Sequence, residues 1–279
     1  MPRLIRDDGA RLEHQTVQAA TPSPGRLPFI FQHGMGGDRS QPLGYIRQLE
    51  RTTLVSMDAR GHGSSSDIVG DGRCSFDAFA DDVVALADEL GFSKFIVGGI
   101  SLGAGTALNV ALRYPGRVAG LVLCRPAWLE HRQAERNVTA YQLIADLLEQ
   151  HEPDEALSRL LASQLYQGVE AESESAAQSL RHQVTRPRAA INAAVLRRFP
   201  VGAPSSSRDD WAGIAAPTLV VGHLDDPFHP WDIAKAYADV IPAARLVEVT
   251  SKDRSSESFM AEVNAAISGF VESTDWENV

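Results

Sequence analysis

One serine in this chain stands at a bend that few folds provide. Residues 94–105 read Lys-Phe-Ile-Val-Gly-Gly-Ile-Ser-Leu-Gly-Ala-Gly, an apolar run that leads through glycines into the helical spacing of residues 106–114. A serine at such a strand-to-helix turn takes a strained backbone conformation, which the small residues at 99 and 103 permit by letting both elements pack closely. Gly-x-Ser-x-Gly also occurs by chance in glycine-rich loops, but here a strand precedes it and a helix follows. The pattern therefore favours Ser101 as a nucleophile at a helix N-terminus, where unpaired N–H groups stabilise negative charge.

Apolar runs alternate with helical patterns along most of the chain. An Asp-Asp-Gly turn at 7–9 separates two short strands and predicts an antiparallel hairpin. Continuous apolar runs, typical of parallel strands buried on both faces, follow at 27–32, 53–57, 94–100, 118–124, 217–222 and 245–249. The sequence therefore predicts an α/β fold with a mainly parallel eight-stranded sheet and helices on both faces.

This alternation is interrupted after the sixth strand. From about residue 129 to 198 the pattern is helical, without a strand, and a Pro/Ser-rich linker at 201–207 precedes the next apolar run. We predict a helical cap at 127–210, inserted into a core formed by 1–126 and 211–279. A separate helical domain is the alternative, although roughly eighty residues is small for one.

Composition limits the partners of the chain. The net charge of −10 over 279 residues argues against a general binder of nucleic acid or of anionic membranes. The two cysteines, Cys74 and Cys124, are too few for a disulfide scaffold, and the N-terminus has no signal-peptide pattern. No metal-ligand spacing or nucleotide fingerprint occurs, so no cofactor is predicted. We expect a cytoplasmic protein with a small-molecule substrate, as a monomer or homodimer.

Three glycine-containing motifs occur in a fixed order along the chain. They are His-Gly-x-Gly-Gly at 33–37, Asp-x-Arg-Gly-His-Gly at 58–63 and Gly-x-Ser-x-Gly at 99–103. With a cap after the sixth strand and an acidic turn after the seventh, the chain resembles the α/β-hydrolase superfamily over nearly its whole length. The resemblance implies that superfamily's fold and acyl-transfer chemistry at a serine.

The resemblance also assigns roles within those motifs. It implies that Ser101 is the nucleophile and that the backbone N–H groups of Met35 and Leu102 form an oxyanion hole. Glycine at 34 suits a loop whose backbone must approach substrate closely. The motif at 58–63, including His62, is expected to be structural, as is His33.

The acid is expected in the turn after the seventh strand, where Asp225 and Asp226 both qualify. Asp226 is favoured, because Asp-Pro-x-x-Pro leading into a helix is similar to the superfamily's acid turn. The other aspartate would cap the helix or face solvent.

The general base is where this sequence departs from the superfamily's pattern. The resemblance places a histidine after the eighth strand, but residues 250–257 contain none, and no histidine follows His229. Without a base, a serine hydroxyl is a poor nucleophile near neutral pH. His229 could act from the acid turn, a lysine (Lys252) stands where the histidine is expected, and the third option is a cap histidine at 131, 151 or 182.

Two further residues follow the sixth strand, at the sheet edge where open α/β folds bind ligands. Arg125 could bind a substrate carboxylate, and the alternative is a salt bridge to a cap residue such as Glu130. Trp128 could contact substrate, and the alternative is packing at the hinge of the cap.

We therefore predict a serine hydrolase that cleaves a small ester, lactone or related acyl compound, with a relocated base. The candidate catalytic residues are Ser101, Asp226 and His229, and the candidate substrate-binding residues are Gly34, Arg125 and Trp128. Two alternatives remain: an enzyme of carbon–carbon bond cleaving or lyase type, and a degenerate member that binds a small molecule.

Overall fold

An eight-stranded sheet runs through the computed structural model, which describes residues 2–22, 26–47, 49–66, 73–274 and 276. Its spatial order is β1-β2-β4-β3-β5-β6-β7-β8; β2 pairs antiparallel with β1 and β4, and all later pairs are parallel. This confirms the predicted fold class and the hairpin. The strands are β1 (Arg3–Ile5), β2 (Arg11–Val17), β3 (Phe29–Gln32), β4 (Leu54–Met57), β5 (Phe95–Ile100), β6 (Val118–Cys124), β7 (Thr218–Gly222) and β8 (Ala244–Glu248).

The central strands are apolar because both of their faces are covered. Every residue of β3 to β7 is buried. Two apolar clusters, one on each face, pack the sheet against its helices. Those helices are α1 (Gln41–Tyr45), α2 (Phe76–Glu89), α3 (Leu102–Arg113), α9 (Trp231–Val240) and α10 (Ser256–Ser273).

The helix α1 is short, although residues 42–50 have helical spacing. It ends at Tyr45, since Ile46 is extended (φ −132°, ψ 103°) and fully buried. Tertiary packing of that isoleucine therefore outweighs the helical pattern.

Five helices lie between β6 and β7. They are α4 (Glu135–Gln150), α5 (Pro153–Ala162), α6 (Gln164–Glu172), α7 (Glu174–Thr185) and α8 (Ala193–Arg198). Apolar side chains of α4, such as Ile144, share one buried cluster with core residues such as Met35 and Leu102. We therefore propose that 127–210 is a cap on the core and not an independent domain. Within the described ranges, no helix has the length and apolarity needed to cross a membrane.

Candidate active site

Ser101 sits on a strained turn between β5 and α3. Its backbone has φ 54° and ψ −107°, a region that L-residues rarely adopt, and it is 8% exposed. Small neighbours are required there: a Cβ on Gly99 would lie 2.5 Å from the Gly103 carbonyl oxygen, and one on Gly103 would lie 2.5 Å from that of Gln32. The strain is therefore supported by close packing of strand against helix.

A histidine from the turn after β7 reaches this serine. His229 Nε2 lies 2.9 Å from Ser101 Oγ, while His229 Nδ1 lies 3.0 and 3.1 Å from the two carboxylate oxygens of Asp226. The backbone N–H groups of Phe228 and His229 donate to Asp226 Oδ1 at 3.2 and 3.1 Å. Serine, histidine and aspartate thus form one hydrogen-bonded chain, with the last two on a single four-residue turn.

Arg125 completes the surroundings of the carboxylate. Its Nε and Nη2 donate to Asp226 Oδ2 at 2.9 and 2.7 Å, and His223 Nε2 lies 3.3 Å from the same oxygen. Burial alone would raise the pKa of Asp226, but Arg125 and then His229 hold that pKa well below its usual value. The carboxylate is therefore ionised at neutral pH.

The same charges act on His229. Burial lowers its pKa below 6.5, Asp226 opposes this and Arg125 adds to it, so the imidazole is neutral at pH 7. Arg125 Nη2 is also 3.0 Å from His229 Nδ1. Because the Asp226 carboxylate is the stronger acceptor, we assign the proton to Nδ1, which leaves the Nε2 lone pair facing Ser101.

The two candidate acids differ in burial. Asp226 is buried and bonded as described, whereas the neighbouring Asp225 is exposed, with φ 61°. Of these two aspartates, only Asp226 contacts the histidine.

The loop after β3 lies beside the serine. A Cβ on Gly34 would be 3.6 Å from Ser101 Cβ, and the Gly34 N–H donates to Gln41 Oε1 at 2.7 Å. Within the described residues, the N–H groups of Met35 and Leu102 have no hydrogen-bond partner. Two backbone donors are therefore free near a strained serine, as an oxyanion hole requires.

Known proteins match most of this chain. A family model described as alpha/beta hydrolase fold matches residues 28–252. The chain belongs to the α/β hydrolase fold family. It is also 30% identical over 227 residues to RutD of Rhizobium rhizogenes, a proposed carbamate hydrolase, covering 80% of this chain and 84% of that one. With relatives named as hydrolases, this α/β hydrolase is an enzyme.

Solved structures share its fold. An esterase from Thermogutta terrifontis aligns with a TM-score of 0.72 at 20% identity, covering 98% of this chain and 99% of the other. The enol-lactonase from Burkholderia xenovorans LB400 aligns with a TM-score of 0.67 at 19% identity over the whole of both chains. At these identities the likeness concerns the fold alone.

Within the described residues, no hydrogen bond joins Ser101 to the other candidate bases of this α/β hydrolase. Lys252 Nζ is 3.2 Å from the Tyr45 hydroxyl and 4.7 Å from the centre of the Phe259 ring. His131 is exposed and bonds the Arg132 carbonyl. In the described part of the chain, His229 alone contacts Ser101 through an imidazole.

Two predicted substrate contacts are engaged elsewhere. Arg125 pairs with Asp226 as above, and Glu130, its suggested alternative partner, pairs with Arg208 at 3.1 Å. Trp128 is 1% exposed and donates to the Phe199 carbonyl at 2.9 Å. The contact of Trp128 favours packing between cap and core over contact with substrate. Those of Arg125 favour a role in holding the Asp226 carboxylate.

Histidines in the other motifs bond neighbouring loops. His33 Nε2 accepts from the Ala59 N–H at 3.0 Å, and His62 Nε2 lies 2.9 Å from Asn192 Nδ2. Both histidines therefore join loops, as expected from the sequence. Among the described residues, no group of His, Cys, Asp and Glu is arranged to hold a metal ion.

Two site residues were missed by sequence reasoning. His223 stands three residues before Asp226, in a turn already identified as the acid turn, so its spacing was an available signal. Gln183 on α7 donates to the Met35 carbonyl at 2.8 Å. No local signal marks that glutamine, because its partner is 148 residues away in sequence.

Proposed function

We propose that this enzyme is a serine hydrolase that acts on a small ester, lactone or related acyl compound. One observation carries the proposal: Ser101 Oγ lies 2.9 Å from His229 Nε2, and His229 Nδ1 lies 3.0 Å from Asp226. A nucleophile within reach of a base, with the base oriented by a buried acid, is the arrangement that acyl transfer needs.

In the proposed reaction, each step is carried out by a named residue. Ser101 Oγ attacks the substrate carbonyl while His229 Nε2 takes its proton, and the imidazolium passes that proton to the leaving group. The acyl-serine formed is hydrolysed by water, which His229 deprotonates in turn. Asp226 stays ionised, accepts from Nδ1–H and stabilises the imidazolium.

The N–H groups of Met35 and Leu102 would bind the oxyanion. Their position beside the N-terminus of α3 adds the favourable end of the helix dipole. The cap contributes through Gln183, since its hydrogen bond to the Met35 carbonyl fixes the peptide that precedes Gly36. Gly34 leaves room for substrate against the serine.

The relative RutD supports the substrate class. It is named for carbamate hydrolysis, a reaction that cleaves an acyl carbon–heteroatom bond. The cap would set the size of the acyl group and exclude water. The cytoplasmic location and the monomeric or dimeric state stay predictions.

A fluorophosphonate probe tests the proposal, because it reacts with an activated serine. We expect intact-mass spectrometry to show one adduct on the wild-type chain and none on Ser101→Ala. Hydrolysis of p-nitrophenyl esters should be lost in the same variant. Turnover that survives Ser101→Ala would instead favour a carbon–carbon cleaving or lyase-type enzyme, and a chain that neither labels nor turns over would be a binding protein.

A further inference from the structure

One guanidinium lies buried and incompletely paired where the cap meets the core. Arg186, directly after α7, is 8% exposed. Its Nε and Nη2 are buried without a hydrogen-bond partner in the described residues. A buried, unpaired charge is costly to a fold, so its retention calls for a partner that binds to the folded protein.

Contacts on both sides of Arg186 hold its segment against loops that flank the candidate active site. Upstream, Gln183 donates to the Met35 carbonyl of the proposed oxyanion loop at 2.8 Å. Downstream, Asn192 Nδ2 donates to the Gly61 carbonyl at 3.1 Å and contacts His62 Nε2 at 2.9 Å. The segment 183–192 is therefore fixed against the loops after β3 and β4.

The charged neighbours of Arg186 do not neutralise it. Burial lowers its pKa to about 10, so the guanidinium is still protonated at neutral pH, and Asp38 only partly opposes the shift. Asp38 is engaged by Ser40, whose N–H donates to it at 2.8 Å. The remaining neighbours in electrostatic contact, His33, His62 and His182, have lowered pKa values mainly through burial and supply no negative charge.

We propose that Arg186 binds a carboxylate carried by the acyl substrate, which makes the substrate an anionic ester or lactone. The two free donors, Nε and Nη2, form one edge of the guanidinium plane, and that edge matches the two oxygens of a carboxylate. A second cation or a helix N-terminus, which phosphate sites commonly add, is not part of this group of described residues. The inference rests on the proposed function, since the carboxylate belongs to a substrate of Ser101.

Two esters with the same leaving group test the proposal. In the wild-type enzyme, p-nitrophenyl hemisuccinate, which carries a carboxylate, should have a higher kcat/KM than the neutral p-nitrophenyl butanoate. In Arg186→Met the ratio of the two kcat/KM values should fall about 10- to 100-fold. Arg186→Lys keeps the charge but loses the planar edge, so its ratio should lie between those of the wild type and Arg186→Met. An unchanged ratio in both variants would overturn the proposal.

Controls separate this role from a structural one and from failure of the proposed function. Arg181→Met removes a partly exposed arginine of α7 that pairs with Glu170 and Glu174, and should leave the ratio unchanged. Binding of succinate, measured by calorimetry, should be lost in Arg186→Met even if Ser101→Ala shows that turnover uses another nucleophile. Equal succinate binding by wild type and Arg186→Met would contradict the carboxylate site, whatever the reaction is.

Discussion

At the scale of single residues, one carboxylate organises the charges of the site. Asp226 accepts from Arg125, from the His229 ring and from two backbone N–H groups, all within 3.2 Å. Acid and base share the turn 226–229, so the backbone of one loop sets their relative orientation. The resemblance implies a base on a separate loop after β8, where this chain has Lys252.

Replacing Arg125 should change the pH dependence of the reaction. In the wild type, burial and then Arg125 lower the pKa of His229, so the base stays neutral and the acid limb of kcat/KM lies below pH 6.5. Arg125→Met removes the second cause, so the limb should move to higher pH. A pH–rate profile checks this. The control is Arg208→Met, which removes an arginine paired with Glu130 and should leave the acid limb of kcat/KM in place. An acid limb that does not move in Arg125→Met would show that Arg125 does not lower the pKa of His229.

Local patterns predicted part of this site and could not predict the rest. Asp226 and His229 could be predicted from the turn after β7, since two residues only three positions apart share one turn. Arg125 was placed correctly at the sheet edge, but its partner is 101 residues away, and the suggested Glu130 pairing was wrong. Arg186 gave no signal, because an unpaired buried charge exists only once the cap has folded onto the core.

At the scale of elements, the turn from β5 to α3 depends on Gly99 and Gly103, which place no side chain between strand and helix. Because Gly-x-Ser-x-Gly, the preceding strand and the following helix are all local in sequence, this element was predictable in detail. The strands were predictable for the same reason, since continuous burial makes each an apolar run. The length of α1 was not, because the buried Ile46 ends it through tertiary contacts.

A methyl group at this turn should therefore damage stability and activity together. In Gly99→Ala the added Cβ would overlap the Gly103 carbonyl carbon and lie 2.5 and 2.6 Å from the Gly103 carbonyl oxygen and Cα, which cannot move independently of α3. We expect a loss of at least about 2 kcal/mol in the free energy of unfolding, with a large drop in kcat. Urea denaturation and ester kinetics measure both. Gly116→Ala, whose Cβ would meet no atom within 4 Å, should leave both close to wild type; equal behaviour of the two variants would refute the packing explanation.

At the scale of the whole molecule, buried histidines join the cap, the loops and the acid turn. His33, His62 and His223 are each at most 2% exposed, and burial lowers the pKa of all three below 6.5. The unfolded chain therefore binds protons near pH 6.5 that the folded chain does not. Their contribution to stability is complete above pH 6.5 and is lost as the pH falls through the folded pKa values.

The free energy of unfolding should thus decrease as the pH is lowered from 7 to 5. Each such histidine contributes a slope of up to about 1.4 kcal/mol per pH unit within its window. Chemical denaturation at several pH values measures the slope, which His62→Gln should reduce. His131→Gln, at an exposed site, should leave it unchanged. A stability independent of pH between 7 and 5 would show that these histidines are not buried in neutral form.

The most direct test of the account concerns the base, because every step assigned to Ser101 depends on His229. The measurement is the rate of fluorophosphonate labelling of Ser101 in wild type, His229→Ala and Lys252→Ala, followed by intact mass at pH 7.5. We predict that His229→Ala labels at least about 10³-fold more slowly than wild type, and that Lys252→Ala stays close to it. Labelling of His229→Ala at the wild-type rate would contradict the relay from Asp226 through His229 to Ser101.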